Sequence, residues 1–237
     1  AQAHCSVEAR PACAMDLRWA ADALARHLVC GCCDDGDTVA LGLCFAVAHL
    51  TVQDTAKMSI YTADLLPLLQ EAGACQLAAG FSSALEGVRP LGHPFCVLYG
   101  FSSAVACQRC FGSTAYRNLA KLRDEAASLA LAYVGTELCH TVTLDGGEAF
   151  VLLYAKIRRR TFNEYLARFQ LAVKAGGGRS LGGGRARPLV GQLAGESFMA
   201  VAAFPCHQRV REWQALPEYA RLIPQDGELS LLMVPAD

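Results

Sequence analysis

The chain has 237 residues, of which 53% are hydrophobic and 18% charged, with 21 basic against 22 acidic side chains and a net charge of −1. That composition supports a packed core without staples, and so near-neutral a balance supplies no field for a polyanion or an anionic membrane surface. Nucleic acid is excluded as an expected partner, and so is a bilayer span, because the longest apolar run, 39–52, is broken by Gly42 and His49 and falls short of the ~20 residues a membrane helix needs.

Residues 1–13 carry no periodicity and read as an arm, and the start at Ala1 fits a leader removed from an organellar or exported precursor as well as it fits a trimmed chain. From Met15 to Val29, Leu17, Ala21, Leu24 and Leu28 recur at helical spacing, opposite a ladder of Arg18, Asp22 and Arg26. This amphipathic helix is expected to dock through Leu17, Leu24 and Leu28. Cys30, Cys32 and Cys33 follow, then a turn at Asp34 to Asp37 and an apolar strand from Val39 to Thr51. Thr55 to Ala72 reads as a helix with Ile60, Leu65, Leu68 and Leu69 inward, kinked or ended by Pro67 and closed by Gly73. Strands are expected at 75–79, 84–88 and 95–101, a helix broken near Gly112 at 104–122, and a last strand at 129–134. The order is βαββαβ, the ferredoxin-like split motif, with both helices on one face of an antiparallel sheet.

The same order then recurs. Tyr61 falls opposite Tyr165, Gly73 opposite Gly177, Leu77 opposite Leu181, Phe95 opposite Phe198, Phe101 opposite Phe204 and Tyr116 opposite Tyr219, which are the glycine and core positions a shared backbone preserves. The reading is an α+β chain: residues 1–38 as arm and helix, 39–135 as a first module, 136–148 as a linker and 149–237 as a second module. In the third strand both alternating sets are apolar, Phe95, Val97, Tyr99 and Phe101 against Cys96 and Leu98. Such modules are expected to lay their open sheets together within one chain, with Phe95, Phe101, Phe198 and Phe204 counted among the interface residues.

The second copy also carries Gly-Gly-Arg at 177–179, glycines at 182–184, Glu-Ser-Phe leading to Phe204-Pro205, and Trp213 followed by Leu-Pro-Glu-Tyr at 216–219. Over nearly all of 149–234 it resembles the domain-of-unknown-function 1330 family of the dimeric α/β-barrel superfamily. The resemblance implies two modules forming a barrel. It also implies a pair of arginines, one closing Gly-Gly-Arg and one seven residues after the tyrosine of Pro-Glu-Tyr. Here each copy keeps one of the two: the second has Arg179 but Asp226, the first Arg123 but Cys75. Fold by itself selects no chemistry.

Cys107 and Cys110 are spaced as a zinc or redox pair, but they fall opposite Val210 and Trp213, so core packing is the expected role. Cys30, Cys32 and Cys33 have no such counterpart and stay open as metal candidates. His49 shares a face with Val47 and Thr51, falls opposite Leu153 by this register, and is a base candidate or a satisfied core histidine. The recurring tyrosines read first as packing residues. No nucleophile elbow or phosphate loop is present, and no cofactor is expected.

The eroded motif, the arm and the start at Ala1 favour a non-catalytic binding or scaffold subunit, a peripheral part of a larger plastid or mitochondrial membrane complex with protein partners. The second reading is a small-molecule enzyme of cofactor-free monooxygenase or isomerase type. It would take a small apolar ligand in a cavity between the sheets, reached by His49, Tyr99, Arg123 and Arg179. An interior between the sheets packed with Phe, Val and Leu would exclude that cavity.

Overall fold

Apolar runs lay down the strands, and in the first half polar side chains cap the helices between them. A computed structural model describes residues 44–86, 93–135, 148–191, 197–222 and 228–235, all within one compact unit, Gly36–Asp237. The expected helix carrying Leu17, Leu24 and Leu28, and the cluster Cys30, Cys32 and Cys33, lie outside the described residues.

The first half runs β1 (Cys44–Val52), α1 (Thr55–Glu71), β2 (Ala74–Phe81), β3 (Ser83–Glu86), β4 (Phe95–Phe101), α2 (Ala104–Gly112), α3 (Thr114–Ala126) and β5 (Ala127–Gly135). Asp54 caps α1 by accepting from the Lys57 N–H at 3.0 Å, and α1 continues through Pro67 rather than stopping there. Tyr61, Leu65 and Leu69 form its buried face, whereas Ile60, expected inward, is 54% exposed. Gly73 follows with φ +66°, matched by Gly177 at +76° in the second half, a conformation that disfavours any side chain with a Cβ. Ser113 ends α2 and caps α3 through the Tyr116 N–H at 3.0 Å, which places the break one residue past Gly112.

The second half repeats the order: β6 (Ala149–Lys156), α4 (Arg159–Ala175), β7 (Arg179–Arg185), β8 (Arg187–Val190), β9 (Phe198–Phe204), α5 (His207–Gln214), α6 (Pro217–Ala220) and β10 (Glu228–Pro235). β2 and β7 carry the same bulge, between Gln76 and Ala78 and between Ser180 and Gly182. The bulged residues Leu77 and Leu181 both reach the core between the sheets.

Two five-stranded antiparallel sheets result, ordered β2-β4-β1-β5-β8 and β3-β10-β6-β9-β7. Each takes one edge strand from the other half. β3 pairs with β10, setting Ala84 opposite Leu232, and β8 pairs with β5, setting Arg187 opposite Tyr133. The sequence placed the strand at 84–88 in the first sheet; the structure gives it to the second.

The interior has three apolar layers. One lies between the sheets, built from Phe45, Val47, Cys96, Leu98, Phe150, Leu152, Met199 and Val201 among others. The other two lie between each sheet and its helices. Phe95 and Phe101 pack on the helix side of the first sheet, and Phe198 and Phe204 on that of the second. The four phenylalanines expected at the sheet interface therefore face the helices, and the smaller set, Cys96, Leu98, Met199 and Val201, makes the interface. Both alternating sets are apolar, so hydrophobicity could not choose between them.

Candidate functional site

α3 brings two polar groups to one place because Tyr116 and Arg123 lie seven residues apart, two turns along one helix face. Both are buried, Arg123 at 4% exposure and Tyr116 at 3%. The Arg123 Nη1 donates to the Tyr116 hydroxyl at 2.7 Å, while Nε and Nη2 donate to the exposed Asp124 carboxylate at 2.9 and 2.6 Å. Tyr61, from α1, stands beside Tyr116 in the same cluster. Tyr99, from β4, packs at a tilt against Phe111 in the same layer, with the ring centroids 6.3 Å apart. Ala48, Leu50, Met58, Tyr61, Tyr99, Phe111, Tyr116, Leu129 and Leu131 enclose a cavity of about 10 Å³, the size that admits one water molecule.

Burial lifts the phenols of Tyr61, Tyr99 and Tyr116 above the usual tyrosine range, and the Arg123 cation opposes the lift at Tyr61 and Tyr116 but not at Tyr99. All three are protonated at neutral pH and act as donors, not bases. Tyr116 accepts from Arg123, so its own hydrogen can be donated toward a guest in the cavity. The site can bind and stabilise an anion on oxygen.

In the second half larger side chains occupy the equivalent positions. Phe162 stands where the first half has Met58, and it stacks on Phe198 at 4.5 Å; Trp213, fully buried, stands where the first half has Cys110. Tyr165 donates to the Leu222 carbonyl instead of to another phenol.

The four residues expected around one cavity separate into three places. Tyr99 and Arg123 belong to the cluster just described. Arg179 lies on edge strand β7, half exposed and ion-paired with Glu148. His49 points between the sheets at 1% exposure, hydrogen-bonded through Nε2 to the Tyr154 hydroxyl at 2.6 Å. Burial, helped by the nearby His93, lowers its pKa to about 4, so the imidazole is neutral at physiological pH. The layer around it is packed with Phe45, Val47, Phe150 and Leu152, which removes the expected cavity between the sheets. Tyr61 and Tyr116 were read as packing residues; the seven-residue spacing from Tyr116 to Arg123 was the signal that joined them. Cys107 and Cys110 sit at 0% and 6% exposure in the helix-side core of the first sheet, where a hydrogen bond with Cys44 and then burial raise the Cys107 thiol, and burial raises Cys110 to about 11.

No helix among the described residues is long and apolar enough to cross a membrane. No protein of curated function matches the sequence. Solved structures do match the fold. A candidate monooxygenase from Lactobacillus acidophilus NCFM is 10% identical with a TM-score of 0.51, over 82% of this chain and 96% of that one. A second candidate monooxygenase, from Fusobacterium nucleatum subsp. nucleatum ATCC 25586, is 10% identical with a TM-score of 0.50, over 81% and 92%. An anthrone oxidase-like protein is 11% identical with a TM-score of 0.50, over 82% and 91%. These neighbours overturn the expectation of a non-catalytic scaffold or accessory subunit. The sequence reading placed the resemblance to the family on the second half, whereas the matching segment lies in the first. Residues 44–136 match the model of the domain of unknown function family DUF1330, and the chain has the two-sheet α+β fold of ferredoxin-like dimeric α/β-barrel proteins.

Proposed function

We propose that this chain is a small-molecule enzyme of cofactor-free monooxygenase type, built from two copies of one family module, with its site on the helix side of the first sheet. The observation that carries the reading is a guanidinium, Arg123, buried against the hydroxyl of Tyr116, whose side chain lines a small aromatic cavity. A buried cation is costly and persists where it is paired or used. Asp124 balances it from the solvent side, leaving Nη1 and the phenol turned inward.

The substrate class that fits is a planar aromatic ketone or phenol with an acidic C–H or O–H, bound as its enolate. The Tyr116 hydroxyl, polarised by Arg123, donates to the oxygen of the guest and lowers the pKa of the guest, and the aromatic walls of Tyr99 and Phe111 hold its rings. The enolate is itself the reductant of dioxygen. A CH₂ group and O₂ become C=O and H₂O: the carbon gives up four electrons, one oxygen atom stays on it, and the other leaves with the two hydrogens. The neighbour described as anthrone oxidase-like suggests anthrone as the first probe. A tricycle exceeds the cavity, so α1, which carries Met58 and Tyr61, moves off the sheet on binding.

The test is dioxygen uptake with anthrone by the whole chain and by Arg123→Gln and Tyr116→Phe. The wild type should exceed the uncatalysed rate, and Arg123→Gln should lose roughly 100-fold or more in kcat, as removal of one oxyanion donor does elsewhere. A panel of polycyclic phenols in a thermal-shift assay separates a wrong probe from a wrong site: stabilisation of the wild type that disappears in Arg123→Gln supports the assignment. Equal shifts in both proteins, or none in either, would refute it.

A further inference from the structure

The layer between the sheets contains a polar contact independent of the site proposed above. β1 and β6 are the matching central strands, each flanked by the third strand of its own half, β4 or β9. His49 pairs in register with Cys96 and Tyr154 with Met199. The two positions are therefore equivalents, 105 residues apart, and the register read from sequence, which set His49 opposite Leu153, was one residue off. Leu153 faces the helices, whereas His49 and Tyr154 face each other. A residue that touches its own equivalent sits on the axis relating the two halves.

We infer that this axial position requires one histidine and one tyrosine, so that the inter-sheet face of each half fits the other half and rejects a second copy of itself. The surrounding equivalents do not discriminate. Phe45 answers Phe150, Val47 answers Leu152, Cys96 answers Met199 and Leu98 answers Val201, apolar in both halves and packable in like or unlike pairs. The axial pair does discriminate, because a phenol reaches further than an imidazole. Two tyrosines would overfill the space that holds the present rings at 5.4 Å between centroids. Two histidines would fall short of each other and leave both imidazoles buried without a partner. The Nδ1 of His49 already has none, so loss of the Tyr154 bond would leave the ring wholly unsatisfied.

The experiment uses four full-length chains: the wild type, His49→Tyr, Tyr154→His, and the double exchange of both. Urea unfolding at pH 8 gives each folding equilibrium constant, and size-exclusion chromatography the oligomeric state. Each single change should lower the folding constant roughly tenfold or more, and a protein that fails to fold counts as such a loss. The double exchange, which restores one of each across the axis, should recover at least half of the logarithmic loss of the worse single change and remain monomeric. A double exchange as unstable as the sum of the two singles, or a single change that folds like the wild type, would overturn the inference. As a check on the bond itself, Tyr154→Phe keeps the ring and should still destabilise; no effect there would also overturn it.

Discussion

At the scale of single residues, burial sets the chemistry and the pH dependence together. His49 is held neutral, with a pKa of about 4 against 6.5 for the free side chain, by desolvation and by His93; the other titratable groups near it are Tyr154 and Cys96, both protonated at neutral pH. Below pH 6.5 the unfolded chain takes up a proton that the folded chain refuses until about pH 4. Stability from this residue is therefore full above pH 6.5, declines as the pH falls toward 4 and levels off below, by about 3 kcal/mol in all. Denaturant unfolding at pH 7.5 and 4.5 should show a smaller loss in His49→Gln than in the wild type; equal losses would mean that His49 is not the group responsible. Arg123 stays charged throughout, so any pH profile of catalysis reports the acidity of the guest and not that of the cluster.

At the scale of elements, strand exchange does the joining. β3 leaves the first half to cover the edge of β10, and β8 leaves the second half to cover the edge of β5. Each half alone would expose an unpaired strand edge together with an apolar sheet face, for the second half the face of Phe150, Leu152, Met199 and Val201. Burying such a face contributes about 25 cal/mol per Å², far more than the closure entropy of the short connection between the halves removes. Residues 148–237 expressed alone should therefore aggregate or precipitate and not form a defined dimer, because two copies of Tyr154 do not fit across the axis, and sedimentation velocity would show it. A stable, monodisperse monomer of that segment would mean that neither β3 nor the first sheet is needed. The exchange was not legible in the sequence, because alternation marks a strand without naming its partner. The bulges at Leu77 and Leu181 were legible only as a repeated pair of leucines.

At the scale of the whole molecule, the repeat of βαββαβ was readable from glycines and aromatics at matched positions, since positive-φ turns and core contacts tolerate few alternatives. The site was readable only in part. Arg123 and Tyr99 stood among the candidates, yet they were assigned to a cavity between sheets that Phe45, Val47, Phe150 and Leu152 fill. The reason is physical: when both faces of a sheet are apolar, a polar side chain is the sole marker of which face has room, and here His49 marks the closed face and Tyr99 the open one. The halves have diverged in that respect, with the larger Phe162 and Trp213 of the second standing where the first has Met58, which lines the cavity, and Cys110. The most direct measurement of this account is a crystal structure of the chain with anthraquinone, the product of the proposed reaction. The account predicts the tricycle between α1 and the first sheet, with a carbonyl oxygen within hydrogen-bond distance of Tyr116 and the second half unoccupied. Density for the ligand between the sheets beside His49, on the second half at Trp213, or nowhere at saturating concentration would contradict it.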